Sequence, residues 1–201
     1  MQKNKSKIAM ISVMALLSAV VAVVSFLPLK TMGLEITLSM VPIAVGAILY
    51  GPVAGAFLGA VFGIVSFLQC FGYSPFGVMI LSESPLFTFI VCVPTRILAG
   101  LITGLIAKLM STGGKALSEL KYIVCSLVAP ILNTVFFMSA LVICFYGGET
   151  VQGFVKILGA ANPFVFIVLF VGINGLVEII AGFVVAYPVS RGSAQGLRRY
   201  L

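Results

Sequence analysis

Two ionisable side chains and two amides stand where the chain is otherwise almost wholly apolar. Arg96 lies inside the run 86–110, Asn133 inside 122–146, and Asn174 and Glu178 inside 164–187. An arginine at membrane depth costs about 2.5–3.5 kcal/mol on insertion scales, so such a charge needs a partner. A guanidinium offers a planar fork of donors that fits a carboxylate through two parallel hydrogen bonds. That partner is either Glu178, in a buried ion pair, or the carboxylate of a ligand, and Glu178 could also orient Arg96 for a ligand. Asn174 and Glu178 are four apart and share one helix face. The amides could hold helices together, or complete a small polar binding site in an apolar bundle. Glu83 and Asn162, in the loops before 86–110 and before 164–187, could close over such a site from outside.

Other chemistry is hard to assemble from these residues. The chain has no histidine, the commonest general base and metal ligand, and it shows no nucleophile–base pair. Cys70, Cys92, Cys125 and Cys144 are far apart in apolar runs and form no C-x-x-C pair, which reads as small buried hydrophobes. No cofactor or metal set is visible. An integral membrane enzyme is therefore left without machinery, and a self-contained transporter without the inverted repeat such folds carry.

The elements that must position these residues are membrane helices. Of 201 residues, 61% are hydrophobic and 8% charged, with a mean hydropathy of +1.25, against about 45–50% and about 25% in soluble domains. A short soluble chain could not bury that much apolar surface. Spanning helices need about 20 apolar residues, and the runs 8–27, 38–50, 53–68, 86–110, 122–146 and 164–187 predict an all-α integral membrane protein of six spans, one membrane domain over 1–201. The first run is too long for a signal peptide and lacks an A-x-A-like exit. Gly51-Pro52 divides the second run from the third. The second run, about 13 residues or about 20 Å long, should start below one membrane face. Loops are expected at 28–35 (Pro28, Lys30, Gly33, Glu35), 69–85, 111–121 and 147–163.

Charge sets the orientation. Six spans put both termini on one side, and Lys3, Lys5, Lys7, Lys108, Lys115, Lys121, Arg191, Arg198 and Arg199 then face the same way, against Lys30 and Lys156 on the other. The positive-inside rule makes the first side, with both termini, cytoplasmic. The net charge of +7 is thereby explained by anchors that meet anionic lipid head groups, with no nucleic acid.

Small residues form a second pattern. Ala15 and Ala19 are four apart on the first span, with Ser18 and Ala22 repeating the spacing on a neighbouring face; Gly51, Gly55, Gly59 and Gly63 continue it in the third. Such ridges let helices approach closely in lipid. The glycines read as internal packing, and Ala15 with Ala19 as either packing or a docking face for another protein.

Over essentially its whole length the chain resembles the substrate-binding S component of energy-coupling factor (ECF) vitamin transporters. The resemblance is carried by size, six spans with an inside N-terminus, Ala15-x-x-x-Ala19, and the block Pro42, Gly46, Gly51, Pro52 and Gly55. It implies a prokaryotic plasma-membrane protein that binds a vitamin or precursor from outside, docks through Ala15 and Ala19 on a transmembrane coupling subunit carrying two ATPases, and reorients to release its cargo. The chain has no G-x-x-x-x-G-K-S/T, so partners must hydrolyse ATP. Arg96 with Asn133 looks most like the pantothenate-type members, and the absence of Trp tilts against a thiamine-type stacked pocket. Alternatives are S components for riboflavin-, folate- or pyridoxine-type vitamins, or a structural assembly subunit.

Overall fold

Helices follow the apolar runs, and two more occupy the expected loops. The computed structural model describes residues 2–27, 30–31, 34–35 and 38–200, with the side chains of 2–7, 30–31, 34–35, 173–174 and 197–200 excepted; Pro28 and Gly33 lie outside it. The elements are α1 (Gln2–Ser25), β1 (Lys30–Thr31), β2 (Leu34–Glu35), α2 (Met40–Tyr50), α3 (Pro52–Gln69), α4 (Pro75–Glu83), α5 (Pro85–Thr112), α6 (Gly114–Phe145), α7 (Glu149–Leu158) and α8 (Pro163–Tyr200). β1 and β2 pair antiparallel as a minimal hairpin, Lys30 opposite Glu35.

The short second run is the centre of the bundle. Met40 and every residue from Pro42 to Ile48 are buried, and α2 packs against α1, α3, α5, α6 and α8. Protein rather than lipid surrounds it, so its 11 residues need not match the bilayer. Its start is tied to the end of α1 by a 2.8 Å hydrogen bond between the hydroxyls of Ser25 and Ser39, both buried. Gln69 Nε2, at the end of α3, donates to the Ser25 carbonyl over 2.6 Å, serving one of the carbonyls a helix end leaves without an internal partner.

Gly51 joins α2 to α3 at φ +84, with nothing within 4 Å of a Cβ built there. It is needed for its backbone conformation and stands apart from the ridge, which is Gly55, Gly59 and Gly63. A Cβ on Gly55 would overlap the Gly100 carbonyl, one on Gly59 the Arg96 carbonyl, and one on Gly63 would come 2.8 Å from Val93 Cα. α3 and α5 thus meet backbone to backbone along the turn that carries Arg96. Gly59→Ala is expected to cost about 1–3 kcal/mol, as overpacking does, because carbonyl and Cα atoms cannot rotate away; an unchanged thermal midpoint in detergent would refute the contact.

α4 begins at an N-cap, Ser74 Oγ accepting from the Gly77 N–H, with Pro75 in the first turn, and buries Phe76 and Ile80. α7 buries Val151 and ends on Gly159 at φ +62, a left-handed cap of the kind glycine favours. The sixth run is broken: Gly172 sits inside α8 at φ 42, ψ −132. Among the described residues Ile8–Ser25, Pro52–Gln69, Pro85–Thr112, Gly114–Phe145 and Gly175–Gly196 are each long and apolar enough to cross a membrane. α7 and Pro163–Gly172 form a further apolar pair bent by 76°, which makes a sixth span if the pair crosses as one and a re-entrant loop if it does not.

One end of the bundle gathers the basic residues. Arg191 of α8 pairs with Glu119 of α6 at 3.4 Å, Lys121 donates to Ser111 Oγ, and Ile48, Ala107, Tyr122 and Tyr187 pack together there. The α2–α3 and α5–α6 turns and the last part of α8 therefore lie at the same end. At the other end, α1, α2 and α3 meet through Ser25, Ser39 and Gln69.

Candidate functional site

α5 starts at Ser84, whose Oγ accepts from the Phe87 N–H, and runs through Pro94 to Arg96. Proline has no N–H to give the carbonyl four residues back, which opens the helix locally. Arg96 bends back into that region. Its Nη1 donates to the Val91 carbonyl at 2.7 Å and to Thr95 Oγ1 at 3.3 Å. The guanidinium lies 4.5 Å from the Phe137 ring centre and 5.3 Å from that of Phe62, within cation–π range. The residue is only 6% exposed, and Nε is buried with no hydrogen-bond partner.

Asn133, on α6 just beyond Pro130, is equally buried, and its Oδ1 also has no partner. A buried donor and a buried acceptor left open are each worth about 1–3 kcal/mol of lost solvation. Both residues line one cavity, with about 840 Å³ of empty space including its mouth. Glu178 of α8 lines it too. Hydroxyls and an amide come from Ser66, Gln69, Ser74 and Thr134; Phe76, Ile80, Phe137 and Met138 supply apolar wall. An aromatic cluster of Phe76, Phe154, Phe166 and Phe170 backs the α4 side. The cavity therefore offers a cation, an anion and open amide valences within aromatic and aliphatic walls. Such a set can hold a small, polar-headed molecule without reacting with it.

Arg96, Asn133 and Glu178, expected together from the sequence, are brought together. The side chain of Asn174 lies outside the described residues. Glu83 and Asn162 are exposed and absent from the cavity lining. Glu83 Oε1 accepts from the Thr150 N–H at the start of α7, and Asn162 Oδ1 accepts from the Val165 N–H at 2.8 Å at the start of α8. Both are helix caps, satisfying donors that the first turn leaves open. Ala15 and Ala19 are exposed on α1, on the side away from Met14, Leu17 and Val21, which pack into the core.

Several lining residues were not among those the sequence pointed to. Gln69 fell at the edge of an expected loop, and its only signal is an amide closing an apolar helix. Cys70 and Cys92 are buried, as small hydrophobes should be, yet their sulfurs meet at 3.9 Å on the cavity wall. No spacing rule brings residues from two different helices into contact.

Residues 9–190 match the sequence profile of the family described as ECF transporter, substrate-specific component. No curated protein sequence is a significant match. Among solved structures the chain superposes on ThiT from Listeria monocytogenes with a TM-score of 0.68, covering 94% of this chain and 97% of that one at 18% identity, a likeness of fold.

Proposed function

The chain belongs to the substrate-specific components of ECF transporters, binding subunits rather than enzymes, and on that premise we propose that it takes up a small carboxylate vitamin or precursor in the cavity beside Arg96. It is a multi-pass protein of the prokaryotic plasma membrane, and members of its family work with a membrane subunit and ATPases. The carrying observation is the complementary pair of open valences, Arg96 Nε as donor and Asn133 Oδ1 as acceptor. A carboxylate with a nearby hydroxyl or amide N–H satisfies both at once. Pantothenate has a carboxylate, two hydroxyls and an amide, and is the first candidate. A ring-bearing vitamin is the second reading, favoured by Phe76 and Phe137 on the wall.

In this reading Ala15 and Ala19 form the surface that docks on the coupling subunit. Small side chains on an exposed helix face allow the close approach that drives association in lipid. The experiment is titration calorimetry of the purified chain with pantothenate, where saturable binding at one ligand per chain is expected. Heat from riboflavin or pyridoxine and none from pantothenate would move the proposal to the second reading.

A further inference from the structure

Cys70 and Cys92 are both thiols, with their sulfurs 3.9 Å apart. Each is almost fully buried, at 4% and 2% exposure, yet both line the cavity, so a small molecule that enters the cavity reaches them. Cys125 packs with Tyr122 and Ala107, and Cys144 beside Leu141 and Phe145, in separate apolar clusters. We infer that Cys70 and Cys92 are an oxidisable dithiol, whose disulfide fastens the α3–α4 corner to α5 on the cavity wall.

The geometry is close to what the bond requires. A disulfide holds its sulfurs about 2.05 Å apart, so the pair must close by about 1.9 Å. Cys92 sits inside α5, where α3 and α5 touch through Gly63 and Val93. Cys70 caps α3, where the chain turns through Gly72 at φ +144 into α4. Its thiol donates to the Ser66 carbonyl at 3.3 Å, and a Cβ on Gly77 would lie 2.7 Å from its sulfur. α4 therefore travels with Cys70. The bond draws the wall bearing Ser74, Phe76 and Ile80 towards the helix bearing Arg96.

The charge-derived orientation puts the end of α3 and the start of α5 at the outer face, where oxidising conditions preserve disulfides. The oxidant is a small disulfide. One cysteine thiolate attacks it and expels a thiolate, leaving a mixed disulfide; the second cysteine then attacks the first cysteine's sulfur and expels the other thiolate. Two cysteine thiols and one small disulfide become one protein disulfide and two small thiols.

The test uses the full chain in lipid nanodiscs, treated with 2,2′-dithiodipyridine, denatured with maleimide and mapped by mass spectrometry. Two of the four thiols should vanish, the peptides holding Cys70 and Cys92 should be joined and lighter by two hydrogens, and a reductant should restore both. Cys92→Ala should instead keep a thiopyridyl group on Cys70, while the double variant Cys125→Ala/Cys144→Ala should bridge like wild type. Thiopyridyl groups on both cysteines of wild type without a bridge, bridging to another cysteine or another copy, or no reaction at either residue in excess reagent would each overturn the inference. The mapping in wild type needs no variant to fold. No readout involves a vitamin, so the result stands apart from the proposed substrate.

Discussion

Arg96→Ala is expected to weaken binding of a carboxylate ligand by about 2–5 kcal/mol, the loss when one member of a buried charge-assisted contact is removed, or about 30- to several-thousand-fold in dissociation constant. Nη1 is already held by the Val91 carbonyl and Thr95 Oγ1, so the helix itself aims the rest of the fork. Arg96→Lys should bind nearly as poorly, because an ammonium is a point charge without the two-pronged plane. The neutral amide of pantothenate should lose a similar amount against wild type and little more against Arg96→Ala. Calorimetry on both proteins with both ligands gives the full cycle. If Arg96→Ala binds as tightly as wild type while Glu178→Ala fails to fold, the arginine belongs to an internal ion pair and the assigned site is wrong.

A bulky residue on the outer face of α1 should abolish transport and spare binding. Ala15 and Ala19 are exposed while Met14, Leu17 and Val21 hold the helix to the core, so Ala19→Trp adds no clash within this chain. It would hold a partner helix away from a face that works only at short range. Vitamin uptake by cells carrying the complete transporter should fall to background, with the ligand affinity of the isolated Ala15→Trp or Ala19→Trp chain unchanged. Binding that falls in step with uptake would show that the ridge packs internally.

The residues most legible in the sequence were those whose placement is costly. A guanidinium, a carboxylate and an amide inside apolar runs must each find company, and Arg96, Glu178 and Asn133 share one cavity for that reason. Asn162 stands outside the cavity because a polar residue before an apolar run is also what a helix start needs, and Glu83 because it serves the start of a helix far along the chain. The starts of α7 and α8 claim them, and α7 was hidden inside an expected loop. α4 and α7, at 9 and 10 residues, are too short for a search by spanning length. Ser74-Pro75 and Gly159 nevertheless carry an N-cap with a first-turn proline and a glycine C-cap. The break at Gly172 leaves no such trace, because hydropathy measures solvent preference and a glycine in an apolar run says nothing about φ. The glycine ridge was readable as close packing, but its partner, α5, was not; with that partner unknown, the contact of Cys70 with Cys92 could not follow.

The central position of α2 has a consequence for biogenesis. With 11 residues, about 17 Å at helical rise, it cannot be retained by a bilayer core of about 30 Å on its own. It must enter as one arm of a hairpin, with α3 as the arm long enough to stay. Its final seat is built from α5, α6 and α8 as well as α1 and α3, so the ribosome delivers the last wall of that seat long after the occupant. Until then α2 is a short apolar rod with part of its wall missing, and the docking of α8 completes that wall.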